Sequence, residues 1–308
     1  MLEKLGFQHL IEDTLTIRRQ TRAMPVFRFI LACYVGFCRL HHLRFLKREP
    51  MLTGILHVAE LPPQCTFWRF LASLHLGIAR QLLVVEKRMR ERVWAAAHVH
   101  LDTITVDTDT TVHTLFGNQM GARKGYNPKN KGKKSYQPVL SFIAETREYA
   151  AGVLRNGDRP VGREIAAHLD AVAESFPPTV KQIYAHADSG FYCREAIQAY
   201  EKKGQHYIVV ARKTARLIDQ LQAVDWKPLP KTDADEQCEF LYQPEGWGQG
   251  SPLPGAALCQ GRRGRRSGAI PTLRYTGVHL SGFRDGHGQP LGSAGLVLQP
   301  AYRSREPQ

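Results

Sequence analysis

Through the first third of the chain, apolar residues recur at spacings of three and four, in "FQHLIEDTL" and in "LLVVEKRMRERVWAAA", and this period predicts helices. The segment "ELPPQCT" breaks the pattern between them. Thr66 in "CTFWRFLASL" is the expected N-cap of a helix that sets Phe67, Phe70 and Leu71 on one face. From Leu101 the period changes to two. "ITVDTDTTV", "PVLSFIAET" and "YAAGVLRNG" alternate as strands do; a short turn near Thr146 to Glu148 joins the last two, and Asn156-Gly157-Asp158 closes the third. A helix then fits "GREIAAHLDAVAESF", a strand "VKQIYAHAD", a helix "REAIQAYEKKG" and a strand "HYIVVAR". The order β-β-β-α-β-α-β predicts an α/β protein, with a helical N-terminal region followed by a mixed sheet that has helices packed on it.

The pattern divides the chain into a helical region over 1–98, an α/β region over 99–249 and a tail over 250–308. Residues 251–308 contain no lysine, eight arginines, ten of the 26 glycines and only two of the 28 acids, without helical or strand periodicity, so a disordered tail is expected. Lys and Arg outnumber Asp and Glu by 42 to 28, a net charge of +14, which favours a polyanion such as nucleic acid. Charge alone would equally attract a membrane surface or an acidic protein. The longest apolar run, "MPVFRFILACYVGFC", is short for a bilayer span and contains Arg28, so it is expected to be a buried helix. The N-terminus lacks the order of a signal peptide, and six scattered cysteines without a CxxC pair indicate neither a disulfide framework nor a zinc site. A cytoplasmic protein without membrane contact is the expectation.

Strand alternation in "VDTDTTV" puts Asp107, Asp109 and Thr111 on one face, where two like charges call for a cation or for exposure. Asp188 closes the strand "VKQIYAHAD", also at a strand edge. Acids at strand ends suit Mg²⁺ or Mn²⁺, hard cations that prefer oxygen ligands. Between the first two strands, "GARKGYNPKNKGKKSYQP" crowds Arg123, Lys124, Lys129, Lys131, Lys133 and Lys134 among Gly, Asn and Pro. Such a loop can follow a phosphate backbone or remain a solvated surface; Tyr126 and Tyr136 suit either base stacking or anchoring of the loop ends.

The ordered set "VDTDTTV", "GARKGYNP", "SYQPVLSF", "LRNGDRP", "HADSGF" and "HYIVVAR" resembles the catalytic domain of insertion-sequence DDE transposases, in particular the insertion-sequence thirteen-eighty family, over roughly 30–247. The resemblance implies an RNase H-like fold and a two-metal strand-transfer site of Asp, Asp and Glu that uses Mg²⁺ or Mn²⁺. Asp109 would be the first acid and Asp188 the second, with Asp107 an accessory neighbour. It further implies double-stranded DNA partners, the element's terminal inverted repeats and target DNA, a homodimer on that DNA, and end binding by the helical region. The third acid should lie in a Tyr-x2-Arg-x3-Glu pattern, which the chain does not contain. Back-translating "GLVLQPAYRSREPQ" and shifting by one base permits "VWFYNQRTGAENL", which contains that pattern, so a frameshift near Gln249 is the expectation, with loss of activity. In-frame candidates for the third acid are Glu195, Glu236 and Glu239. A non-catalytic DNA-binding fragment, able to inhibit an intact transposase, is the alternative. "ITVDTDTTV" also fits the hhhhDxDxT motif of haloacid-dehalogenase-like phosphatases, but those enzymes also need a lysine and a Gly-Asp-x3-Asp type metal motif downstream, where "HADSGFYCRE" supplies one acid in a different context, and a three-strand meander does not suit their doubly wound sheet.

Overall fold

A computed structural model describes residues 2–17, 24–35, 40–158, 160–212, 214–228, 236–244, 246–247, 253–259 and 275–281. The chain divides into two compact units, Met1–His100 and Leu101–Gln308.

The first unit is helical: α1 (Phe7–Thr14), α2 (Val26–Val35), α3 (Leu43–Leu46), α4 (Pro50–Leu56), α5 (Gln64–Ala72) and α6 (Leu76–Ala96). The helix α4 starts where Glu49 accepts a hydrogen bond from the Leu52 amide at 2.6 Å and Pro50 occupies the first helical position, where its missing N–H costs nothing. The core forms where Phe29 of α2 stacks on Phe70 of α5 at 4.6 Å and meets Phe67 edge-on at 4.9 Å. Burying each such ring contributes about 2 kcal/mol. Thr66 is not the N-cap of α5. The helix begins at Gln64 behind Pro63, whose extended backbone supplies the entry turn, and Leu71 lies at the surface while Phe67 and Phe70 are buried. At Gly6, φ is +65° and a Cβ would lie 2.9 Å from the Arg92 guanidinium, which donates to the Leu5 and Gly6 carbonyls. No helix among the described residues is long and apolar enough to cross a membrane.

The second unit is built on a mixed sheet. Its strands are β1 (Thr103–Thr110), β5 (Val139–Ile143), β6 (Tyr149–Val153), β7 (Gln182–Ala187) and β8 (His206–Val210), with β2 (His113–Thr114), β3 (Arg123–Lys124) and β4 (Lys134–Tyr136) forming a separate small sheet between β1 and β5. The main order is β6-β5-β1-β7-β8: β5 runs antiparallel to β1 and β6, while β7 is parallel to β1 and β8. This is the mixed sheet expected of an RNase H-like fold. The antiparallel neighbour of β1 is also what a doubly wound phosphatase sheet would lack. Helices α7 (Gly162–Glu174) and α8 (Arg194–Lys202) cover one face. Ile165, Leu169 and Val172 recur on α7 at helical spacing and are buried, and Ile165 and Leu169 pack with Ala185, Ala187, Ile197, Tyr200, Tyr207 and Val209.

After α9 (Ala215–Ala223) the sheet continues through β9 (Lys227–Pro228), β10 (Glu236–Tyr242), β11 (Leu253–Cys259) and β12 (Tyr275–Ser281), with β12 antiparallel to β8. Two of these strands fall inside the tail expected to be disordered, which corrects that expectation for 253–259 and 275–281; the rest of the tail lies outside the described residues. Both segments lack charged residues, and the edge of β8 offers a row of backbone hydrogen bonds that is indifferent to side-chain pattern.

Candidate active site

Alternation along β1 buries Ile104, Val106 and Thr108 and leaves Asp107 and Asp109 exposed on the other face. The parallel neighbour β7 aligns Asp107 with His186 and Thr108 with Ala187, so Asp188, the next residue, emerges beside Asp109 at the carboxyl ends of both strands. Asp188 is held above the usual carboxylate range, first by burial and then by the charge of Asp109, against the opposing effect of the Gly190 amide. Two carboxylates thus meet at one sheet edge, as their sequence positions suggest.

The motif "HADSGF" acquires a local explanation. Asp188 caps the 3₁₀ turn Ser189–Phe191, its Oδ1 accepting from the Gly190 amide at 2.9 Å. A Cβ at position 190 would lie 2.8 Å from that oxygen. Arg212, just after β8, donates from Nε to the Ser189 carbonyl at 3.2 Å and ties the turn to the sheet. A cap uses one carboxylate oxygen; a carboxylate has two, with four lone-pair sites, so capping and cation binding are compatible.

Asp107 has a different partner. Its Oδ1 lies 3.2 Å from Nδ1 of His186, both side chains being about half exposed. Sequence reading missed His186 because the pair spans 79 positions. It also missed the polar chain behind β1, where Thr108 Oγ1 lies 2.8 Å from Ser141 Oγ and Ser141 Oγ lies 2.9 Å from His168 Nε2. All three are buried, and burial lowers the His168 pKa to about 4. The imidazole is therefore neutral at pH 7, and the chain of hydroxyls pins β1 to β5 and α7.

The basic loop is an ordered clasp. Gly125 and Gly157 come together so closely that a Cβ on Gly125 would lie 1.9 Å from the Gly157 carbonyl oxygen, and one on Gly157 would lie 2.4 Å from the Arg123 and Ser135 carbonyl oxygens. This contact joins the motifs "GARKGYNP" and "LRNGDRP". Arg123 bonds Asp158 at 2.8 Å, and half-buried Lys134 reaches Asn118 at 3.4 Å, while Lys124, Lys129, Lys131 and Lys133 are exposed.

Among the described residues, no group of three or more His, Cys, Asp and Glu side chains is placed to hold a metal ion. The carboxylate of Glu195 packs instead against Gly162, where a Cβ would lie 2.3 Å from its Oε2. Glu236 and Glu239 lie on β10, and their side chains fall outside the described residues. The donors that are present still fit a hard cation. Mg²⁺ is commonly bound through one or two carboxylates with substrate phosphate and water completing its shell, and a cation would relieve the repulsion between Asp109 and Asp188.

A mixed sheet with paired carboxylates at the ends of its central parallel strands defines the class of fold and site. Residues 1–251 match the family model of transposase DDE domain group 1, and the chain belongs to that family. DDE domains of this kind are generally dependent on divalent metal. No curated protein matches the sequence. Among solved structures, the chain is similar to a piggyBac transposase synaptic complex with hairpin DNA at 11% identity and a TM-score of 0.42, covering 94% of this chain and 61% of that one. A Drosophila P element transposase strand transfer complex gives 10% identity, a TM-score of 0.27, and coverage of 76% and 46%. Ciona intestinalis endonuclease V bound to an inosine-containing 24mer DNA gives 10%, 0.21, and coverage of 53% and 80%. Likenesses at this level are too distant to assign a substrate or a reaction to this chain.

Proposed function

We propose that the chain derives from a DNA transposase of an insertion sequence, of the thirteen-eighty type, acting by metal-dependent strand cleavage and transfer at Asp109 and Asp188. The observation that carries this reading is the meeting of those two carboxylates at the ends of adjacent parallel strands, where burial first and the charge of Asp109 after it hold Asp188 above the usual carboxylate range. A divalent cation bound there would activate the attacking hydroxyl and stabilise the leaving oxygen. The chain's own part is to hold the two carboxylates on one face, with the turn at Asp188 fixed by Gly190 and Arg212. Exposed lysines of the clasp bind the backbone of double-stranded DNA beside them, the helical region over 1–98 binds the terminal inverted repeats, and two copies act together on the DNA.

In this chain the reaction is impaired, because the sequence lacks the Tyr-x2-Arg-x3-Glu pattern expected to carry the third acid. A frameshift near Gln249 accounts for this, and the family match ending at residue 251 supports it. The alternative, a DNA-binding fragment that inhibits an intact transposase, is favoured by the same gap in the site. Incubation with DNA carrying the element's ends and Mn²⁺ separates the two. The present chain is expected to shift the DNA without nicking it, and a chain with the frame restored after Gln249 is expected to nick. Equal nicking by both forms sinks the frameshift reading. Replacing Lys129, Lys131, Lys133 and Lys134 together should flatten the dependence of log affinity on log salt, since each phosphate contact releases counterions. An unchanged slope leaves the clasp as solvated surface.

A further inference from the structure

Asp107, Asp109 and Asp188 all lie on the outward face of the sheet, yet the proposed cation site uses only the last two. Asp107 stands one row back from the strand ends. Val139, Ser141 and Ile143 of β5 and Tyr207 and Val209 of β8 are buried on the inward face, so Phe142 and Ile208 point outward. Strand register then sets the row across the sheet as Phe142, Asp107, His186 and Ile208. The side chains of Phe142 and Ile208 have no polar group. His186 is therefore the hydrogen-bonding neighbour of Asp107 in that row, with Nδ1 3.2 Å from Oδ1.

Asp109 and Asp188 are held differently. Each accepts from a backbone amide close to it in sequence, Asp109 Oδ1 from Thr110 at 2.6 Å and Asp188 Oδ1 from Gly190 at 2.9 Å. Those bonds keep both carboxylates at the strand ends, where the charge of Asp109 bears on Asp188. The bond at Asp107 runs sideways instead, from β1 to β7, and it needs only a proton on Nδ1, which one tautomer of the neutral imidazole carries. An ion shared with Asp109 would require Asp107 to lean along the strand. Residues two apart are separated by ~6.8 Å, and metal–oxygen bonds of about 2.1 Å close that gap only when both side chains turn toward the ion. The His186 bond leaves the other oxygen of Asp107 unused, so it acts through the direction in which it holds the carboxylate.

We propose that His186 is a positioning residue that withholds Asp107 from the cation and so leaves Asp109 and Asp188 as its carboxylate ligands. The inference rests on the proposed cation site and assigns a role to the third carboxylate beside it. Without the imidazole, Asp107 is free to turn along β1 toward the ion. A further negative ligand strengthens the hold on a hard cation, because affinity in such sites follows the number of charged ligands.

Calorimetric titration of Mn²⁺ into the full chain tests this through a double-mutant cycle. His186→Ala should bind Mn²⁺ about three- to fivefold more tightly than the parent, the range that release of one half-exposed contact allows. His186→Gln keeps a side-chain N–H donor and should bind as the parent does. In the Asp107→Asn background, His186→Ala should change nothing, because no carboxylate is left to release. Both side chains are about half exposed, so these changes spare the core. His186→Ala that binds no more tightly than the parent overturns the proposal. So does a gain that persists in the Asp107→Asn background or appears equally in His186→Gln, because the imidazole would then act by its own bulk or charge and not through Asp107. If the parent binds no Mn²⁺, the proposed cation site itself falls and takes this inference with it.

Discussion

On the inward face of β1, Thr108 is 3% exposed and joins Ser141 and His168 in a chain of neutral hydrogen bonds; one residue to either side, Asp107 and Asp109 face solvent with His186 and Asp188 as neighbours. The same strand thus handles polar groups in two ways. Neutral groups tolerate burial once each is hydrogen-bonded, whereas an unpaired carboxylate in the same place would cost several kcal/mol. The inward face consequently serves stability and the outward face is available for chemistry. Changes on the two faces should therefore separate cleanly.

The largest effect on stability is expected from His168→Ala, which opens a cavity under α7 and removes a partner of Ser141. Urea unfolding should show a loss of about 3 kcal/mol. A loss below about 1 kcal/mol would mean that the buried chain does not hold the strand.

Acid should attack the same face. The folded-state pKa of His168 is about 4, below the ordinary 6.5, so between these values the unfolded chain binds a proton that the folded chain does not. Stability from this group is complete above about pH 6.5 and declines by roughly 3 kcal/mol as pH falls to about 4. Unfolding midpoints recorded across that range should fall with pH in the parent, and this component of the slope should vanish in His168→Ala. Parallel curves for the two proteins would place the pH dependence elsewhere.

Much of this arrangement was legible in the sequence, for definable reasons. Period two over eight residues marks β1 and shows that Asp107 and Asp109 share a face, and strand ends located Asp109 and Asp188. The clasp was hidden because strands of two or three residues show no period. The contact between Gly125 and Gly157 and the pairing of Asp107 with His186 are tertiary facts that local pattern does not encode. Thr66 misled because a good capping side chain is only a propensity, and the backbone of Pro63 decided the start of α5. The strand β11 pairs where its side chains carry no alternation, whereas in β12 Val278 and Leu280 alternate with Gly277, His279 and Ser281, a run too short to stand out in a Gly- and Arg-rich tail.

The smallest effect on stability is expected on the outward face. Asp107→Asn alters a contact with His186 that is about half exposed, and thermal unfolding should register less than about 1 kcal/mol. A loss as large as that of His168→Ala would erase the distinction between the faces.

Calorimetric titration of Mn²⁺ into the parent, Asp107→Asn, Asp109→Asn and Asp188→Asn tests the central claim most directly. Asparagine at 109 or 188 removes a charged ligand and relieves the repulsion, so these variants should fold at least as stably without metal yet bind Mn²⁺ at least ~10-fold more weakly. Asp107→Asn should bind nearly as the parent does. Binding abolished by Asp107→Asn and preserved in Asp109→Asn would contradict the account, because the ion would then sit with His186 rather than between Asp109 and Asp188.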